Sequence, residues 1–294
     1  MGAMMPAQFA VIGTPIGHSL SVLLHSAVYR ALGTDWQTTA VDPQDEEGFQ
    51  RLVAEIRCGA TEILGANVTI PYKEVAAGLC DELSEAAQRC GAVNTLLRTG
   101  AGHLVGHNSD MGGFLAALAS ELGISAPRLG RVAVCGTGGV ARAITAALSS
   151  AGVTDILVVS RDRRRGADFL AALGAGGTAV TYEDLVSAGS DAGVIDLCVN
   201  ATPVGMVGAG ASAIPAAFYV WLQQHTLAVF DAVYRRGETT PLVAWARSAQ
   251  IPAADGLMML VEQAIISLRF WGLAAEPAEL RAIMVEALKK EGIR

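Results

Sequence analysis

Charge is scarce in this chain. Asp, Glu, Lys and Arg together make up 17% of its 294 residues, and 28 acidic side chains outnumber 21 basic ones. No extended basic face can be assembled from that balance, so a nucleic-acid binder is not expected. Aromatic residues are also few, at 5%. With Ala, Gly and Val in their place, the composition suits helices packed closely on a parallel sheet. The five cysteines (Cys58, Cys80, Cys90, Cys135, Cys198) form no CxxC pair. An odd, scattered set argues against a disulfide framework or thiolate metal site and fits reduced, mostly buried thiols in a cytoplasmic protein.

Long hydrophobic runs are missing as well. The longest, Leu257 to Leu268, is interrupted by Glu262 and Gln263 and falls short of the roughly 18 residues that span a bilayer. Met1 to Ala7 carries neither a basic n-region nor an apolar h-region, so no signal peptide is expected. There is no repeat of fixed period and no low-complexity linker. What remains is apolar bulk, 52% of the residues, enough for a large core and for two domains.

The first half alternates strand and helix signals. Gln8 to Gly13 reads as a short apolar strand, and Ser21 to Leu32 as a helix with a serine cap and Gly33 as its stop. Thr38 to Val41, Glu46 to Arg57 and Leu64 to Ile70 continue as strand, helix and strand. A second series begins near residue 128, with a strand at Arg131–Cys135, a glycine turn and a helix over Val140–Ala151. Asp155–Val159 is the next strand, and a helix follows over Arg165–Leu173. Val194–Val199 and Leu227–Asp231 read as further buried strands, and Leu257–Phe270 and Pro277–Lys290 as helices. Alternation of this kind predicts βαβ units and an α/β fold.

The glycine turn, Gly136-Thr137-Gly138-Gly139-Val140-Ala141, follows a strand and opens a helix, the context in which a G-x-G-x-x-A sequence binds a dinucleotide. Gly136 makes the tight turn, Gly138 lets a pyrophosphate approach, and the helix N-terminus offers free N–H groups to phosphate. A tight strand-to-helix turn could need the same glycines for backbone reasons alone. At the end of the next strand stands Ser160-Arg161-Asp162-Arg163-Arg164-Arg165. Arg161 and Arg165 are suited to a 2′-phosphate, which favours NADP. Asp162 is placed to serve a ribose hydroxyl in an NAD enzyme, so NAD stays open.

Three polar motifs interrupt the first half: Gly13-Thr-Pro-Ile-Gly-His-Ser19-Leu-Ser21, Gly65-Ala-Asn67-Val-Thr69-Ile-Pro-Tyr-Lys73, and Gly91-Ala-Val-Asn94-Thr95 continuing to Gly106-His-Asn-Ser-Asp110-Met-Gly-Gly113. Taken singly, each has a structural explanation: a serine cap, asparagines satisfied in turns, a surface lysine. Together they place hydroxyls, amides, a lysine and a carboxylate at strand–loop junctions, where open α/β sheets bind ligands. With Gly136–Arg142, Asn200–Met206 (NATPVGM), Asp231–Tyr234 (DAVY) and Asp255–Ala264 (DGLMMLVEQA), these motifs run through nearly the whole chain. In that order and spacing the sequence resembles the shikimate dehydrogenase family.

The resemblance implies two α/β domains, an N-terminal substrate domain with a mainly parallel sheet and a Rossmann-like NADP-binding domain. The division is expected at 1–110 and 111–253, with the helices of 254–294 returning to the first domain. Ser19, Ser21, Thr69, Asn94, Asp110 and Gln263 would hold the substrate's carboxylate and hydroxyls, with Tyr234 nearby. Lys73 and Asp110 would be the catalytic pair. The cofactor would lie along Gly136, Thr137, Gly138, Gly139 and Val140, along Ser160, Arg161 and Arg165, and near Ala232 and Gly256. Reduction of 3-dehydroshikimate to shikimate is the implied reaction, and a lysine in a partly desolvated cleft can give and take the proton it needs. No Cys/His cluster is visible and no metal is expected. The chain would work as a monomer or homodimer. Val22 replaces a proline common after the second serine, Ser160 an asparagine, and Asp162 a threonine or serine. The family also holds quinate and aminoshikimate enzymes, some NAD-dependent, and a non-catalytic sensing homologue is the remaining alternative.

Overall fold

A computed structural model describes residues 7–17, 19–207 and 214–293. The chain divides into two compact units, one formed by the residues through Ser109 together with Val261–Gly292, the other by Asp110–Leu260.

The first unit begins with β1 (Gln8–Ile12), whose last four side chains are buried, and α1 (Ser21–Leu32). Gly33 ends that helix at φ +65°, a conformation glycine adopts without strain. The helix start differs from the sequence expectation. Leu20 occupies the cap position without a side-chain bond, Ser21 is the first helical residue and is buried, and Ser19 Oγ accepts the Ser21 N–H at 3.3 Å. The chain continues through β2 (Gln37–Val41) and α2 (Glu46–Cys58), which Asp45 caps by accepting from Gly48 N. Next come β3 (Ile63–Val68), α3 (Lys73–Gly78), β4 (Glu82–Leu83) and α4 (Glu85–Cys90). A hairpin of β5 (Thr95–Thr99) and β6 (His103–His107) then leads into α5 (Ser109–Leu122).

The strand order is β2-β1-β3-β5-β6-β4. Pairings β1/β2, β1/β3 and β4/β6 are parallel, while β3/β5 and β5/β6 are antiparallel. The sheet is therefore mainly parallel, as expected, with a hairpin inserted. Sequence reading took the β5 and β6 segments as polar motifs, because their five-residue runs begin and end on Thr or His. Leu96 and Leu104 nevertheless point into the core.

The second unit carries β7 (Arg131–Cys135), α6 (Gly139–Ser150), β8 (Asp155–Val159), α7 (Arg163–Leu173), β9 (Thr178–Val180) and α8 (Tyr182–Ala188). It continues with β10 (Leu197–Asn200), α9 (Ala216–His225), β11 (Val229–Asp231), α10 (Pro241–Ser248) and β12 (Ala253–Ala254). All its pairings are parallel, in the order β12-β11-β10-β7-β8-β9. Strand order reverses at β7, so the crevice beyond its carboxyl end, beside β10, is the switch point where such sheets bind ligands. The fully buried β7, β8 and β10 interiors explain the uninterrupted apolar runs.

Two helices complete the chain, α11 (Leu257–Phe270) and α12 (Pro277–Lys290). From residue 261 on they belong to the first unit, where α12 packs on α1. Arg281 of α12 binds the buried Glu262 of α11 through both oxygens, Nη2 to Oε2 at 2.9 Å. Trp271 Nε1 donates to Leu96 O at 2.9 Å, and Gly65 makes room for it: a Cβ there would lie 2.8 Å from that nitrogen. Among the described residues no helix is long and apolar enough to cross a membrane.

Candidate active site

One edge of the first unit's sheet gathers the polar motifs, and the topology explains why. Parallel β1 and β3 end side by side, so their following loops meet. Thr69 N donates to Ile12 O at 2.8 Å and Thr14 N to Ile70 O at 3.0 Å. The Thr14 hydroxyl bonds Asp42 at 2.6 Å and the Tyr72 hydroxyl at 2.9 Å. Gly13 is glycine because Thr69 lies against it; an added Cβ would sit 2.3 Å from Thr69 Cγ2. β5 runs antiparallel to β3, so its first residues return to the same edge, and Val68 N donates to Asn94 O at 2.8 Å. β6 runs antiparallel to β5 and ends there too, delivering Ser109.

Lys73 is the first residue of α3, 8% exposed. Its carbonyl accepts from Val93 N at 2.8 Å, which ties its backbone to the strand that begins beside Asn94. Tyr72, just before it, stacks on Phe49 with ring centroids 4.6 Å apart and planes 4° apart. The lysine therefore stands on a packed base rather than on the surface.

Behind these residues lies a buried cluster of six polar side chains. Asn67 Nδ2 donates to Asn94 O at 3.1 Å, to Thr95 Oγ1 at 3.2 Å and to Ser267 Oγ at 2.8 Å. Ser109 Oγ lies 3.2 Å from Gln263 Oε1, and Ser267 Oγ donates to Gln263 O at 2.9 Å. The structure thus brings Thr69, Lys73, Asn94 and Gln263 into one connected region, with Ser19 half-exposed and Ser21 buried in the neighbouring loop and helix start. Asn67 sits inside β3, as the strand expected over Leu64 to Ile70 implied, rather than in a turn. Sequence reading missed Thr95, Ser109 and Ser267 as members. The available signal was a hydroxyl or amide inside an otherwise apolar element, which burial makes costly unless it is bonded. Asp110 is buried in the first turn of α5 and opens the second unit.

In the second unit the expected cofactor residues line the carboxyl edge. Gly136 follows β7 at φ +116°, and a Cβ there would meet Ala201 O at 3.0 Å. Gly138 has an ordinary φ of −91° and nothing within 4 Å of an added Cβ. Space is left in front of the α6 N-terminus, so the turn fits a pyrophosphate. Ser160 follows β8, its hydroxyl donating to Asp162 O at 2.5 Å. Asp162 caps α7, accepting from Arg164 N at 2.9 Å. Arg163 pairs with Asp184 at 2.6 Å, while Arg161 and Arg165 flank them as exposed cations. Ala232 N donates to Asn200 O at 2.8 Å, and Gly256 packs so closely that a Cβ would meet Ala232 O at 2.2 Å. Tyr234 follows in the same loop, partly exposed.

Asn200 and Asp231 form a further buried pair, outside the expected set. Asn200 Nδ2 donates to Asp231 Oδ1 at 2.8 Å and to Val204 O at 3.0 Å, while its Oδ1 accepts from Thr202 N and Oγ1. Burial pushes the Asp231 carboxyl up to about 6, against the pull of Thr240, Val233 N–H and Asn200; Asp255 adds to the rise.

Residues 11–96 match the shikimate dehydrogenase substrate binding domain, and residues 131–213 match a family described as NADP oxidoreductase, coenzyme F420-dependent. A shikimate dehydrogenase (NADP(+)) of Rubrobacter xylanophilus is 38% identical over 89% of each chain. One from Xanthomonas campestris pv. campestris is 40% identical over 90% of each. The crystal structure of shikimate 5-dehydrogenase from Thermus thermophilus in complex with NADP(H) and shikimate superposes with a TM-score of 0.78 at 33% identity, covering 95% of this chain and 99% of that one. On these matches, which extend over nearly its full length, the chain belongs to the shikimate dehydrogenase family.

Proposed function

We propose that the protein catalyses the NADPH-dependent, reversible reduction of 3-dehydroshikimate to shikimate. The observation that carries this reading is the single sheet edge on which Lys73, Thr69, Asn94 and Gln263 are tied together by backbone and buried side-chain bonds. Ser19, Ser21, Thr69, Asn94, Gln263 and Asp110 supply hydroxyls, amides and a carboxylate for the carboxylate and hydroxyls of the substrate, and Tyr234 adds a further hydroxyl. Lys73 gives a proton to the carbonyl oxygen during reduction and takes it from the hydroxyl in the reverse direction. Asp110 is the other member of the proposed catalytic pair. The first unit takes the substrate and the second the cofactor.

NADPH, when bound, supplies the hydride. Gly136, Thr137, Gly138, Gly139 and Val140 would hold its pyrophosphate against α6, and Ala232 and Gly256 its nicotinamide side. Ser160, Arg161 and Arg165 would hold the adenosine ribose and its 2′-phosphate. The capping role of Asp162 supports NADP over NAD, since that carboxylate is engaged by Arg164 N. The cysteines, unbridged and three of them buried, support a cytoplasmic enzyme, and we read it as a monomer or homodimer.

The test is a matrix of initial rates, with shikimate or quinate against NADP or NAD, followed by nicotinamide absorbance. The reading expects shikimate with NADP to have the highest kcat/KM. Calorimetric binding of shikimate without turnover on any pair would replace the enzyme by a sensing protein.

A further inference from the structure

The carboxamide of Asn94 is held in one orientation. Its side chain is 2% exposed, and its Oδ1 accepts from Ser109 N at 2.8 Å, Thr95 Oγ1 at 2.9 Å and Ser109 Oγ at 3.1 Å. An amide oxygen has two lone pairs, so these donors saturate it. Turning the group over would set its NH2 against the Ser109 N–H, donor facing donor in a buried site. A lost buried bond of that kind disfavours the turned form roughly ten- to a hundred-fold.

The direction of the Thr95 bond is set by the atom it meets. Asn94 Oδ1 takes the Ser109 N–H, so that atom is the oxygen and can only accept. In its 2.9 Å contact with Asn94 Oδ1 the Thr95 hydroxyl therefore donates, while Ser267 Oγ lies at the same distance on its other side. Donation thus runs from Ser109 and Thr95 to Asn94 Oδ1, and what Asn94 has left for a ligand is its Nδ2, a donor.

We propose that Asn94 is a fixed hydrogen-bond donor that admits a ligand oxygen at its position and rejects an ammonium, with Thr95 as the positioning residue that holds it so. A hydroxyl or carbonyl oxygen has a lone pair to offer, whereas an ammonium has three N–H bonds and none. The enzyme therefore discriminates a polyhydroxylated acid from its amino-substituted counterpart at this one position. The proposal rests on the reading that Asn94 faces the substrate.

Shikimate is compared with its deoxyamino analogues, one for each ring hydroxyl, in the wild type and in Thr95→Val, Thr95→Ser and Asn94→Ala. For one analogue, the one whose kcat/KM is unchanged by Asn94→Ala, kcat/KM at pH 7 is expected at least about 100-fold below that of shikimate. It should recover in part as the pH passes the amine's own pKa and a lone pair appears. Thr95→Val keeps the side-chain shape and removes the hydroxyl; it should raise the KM for shikimate about five- to tenfold, with kcat and the KM for NADP little changed, and should lower the melting temperature because its buried partners lose a bond. Thr95→Ser should restore the wild-type KM. Equal use of all analogues at pH 7, or a Thr95→Val enzyme with the wild-type KM, overturns the fixed-donor proposal. An Asn94→Ala enzyme with an unchanged KM for shikimate, or a wild type that does not turn shikimate over, overturns the underlying reading of the site as well.

Discussion

Asp231 offers a measurement in which fold and electrostatics give a signed number. The residue is fully buried at the end of β11, and its carboxyl titrates at about 6 rather than 3.8, with burial as the main cause. A carboxyl whose folded pKa lies above its unfolded one favours the native state when protonated, and that contribution is lost as pH rises through the folded value. The interval of about two units corresponds to about 3 kcal/mol at 1.36 kcal/mol per unit. Asp231→Asn removes the ionisation and keeps an oxygen that can accept from Asn200 and Val233 N–H. The variant should therefore be more stable than wild type by about 3 kcal/mol at pH 8, with the gap narrowing below about 1 kcal/mol at pH 4. Urea denaturation followed by tryptophan fluorescence at a series of pH values reads this directly. A gap independent of pH, or a wild type that gains on the variant as pH rises through 6, would refute the reasoning.

Four further outcomes follow from the geometry. Lys73→Ala should lower kcat by about 10²- to 10⁴-fold, with a smaller effect on substrate binding; unchanged turnover would remove Lys73 from the chemistry. Gly136 and Gly138 should behave oppositely: Gly136→Ala meets Ala201 O at a positive φ and lowers the melting temperature, whereas Gly138→Val meets open space, keeps it and abolishes NADP binding. If Gly138→Val binds NADP normally in a calorimetric titration, the turn does not hold the pyrophosphate. Arg161→Ala and Arg165→Ala should each raise the KM for NADP about ten- to a hundredfold and leave that for NAD unchanged; equal effects on both cofactors would move the 2′-phosphate elsewhere. Arg281→Ala leaves Glu262 without its partner and, with the arginine side chain 39% exposed and water able to take its place, should cost about 1 to 2 kcal/mol, while Glu262→Gln with Arg281→Met should recover most of it, as judged by denaturant midpoints.

Sequence periodicity located the central strands of the second unit because β7, β8 and β10 are buried on both faces and read as plain apolar runs. It did not find the short edge strands β9 and β12 or the helices α8, α9 and α10. Among the elements it did find, the errors fall at edges. α7 begins at Arg163, two residues before the expected start, because Asp162 caps it. β10 begins at Leu197, three residues after the expected start of its apolar run, and extends to Asn200, whose polarity hid it. In the first unit, β5 and β6 were invisible to an alternation test because their ends carry hydrogen-bonding residues. Lys73 and Asn94 stood out as polar groups at strand ends. Ser109 stood inside a polar motif but was given no role, and Ser267 was not singled out, because a serine in an apolar helix has many innocent explanations. Only the fold shows that Ser267, one turn beyond Gln263, reaches Asn67 on a strand 200 positions away.

That last pairing has a consequence for how the protein is made. The second unit is a single stretch of chain, 110–260, so a ribosome can release all of it before the first unit is complete. The first unit, although begun before the second, lacks α11 and α12 until residues 261–292 have been made. Until then Asn67, Thr95 and Ser109 lack the partners that Ser267 and Gln263 supply, and the face of α1 that meets α12 stays open. Of the two units the one begun first is completed last, and the polar cluster that shapes the site closes only when α11 and α12 arrive.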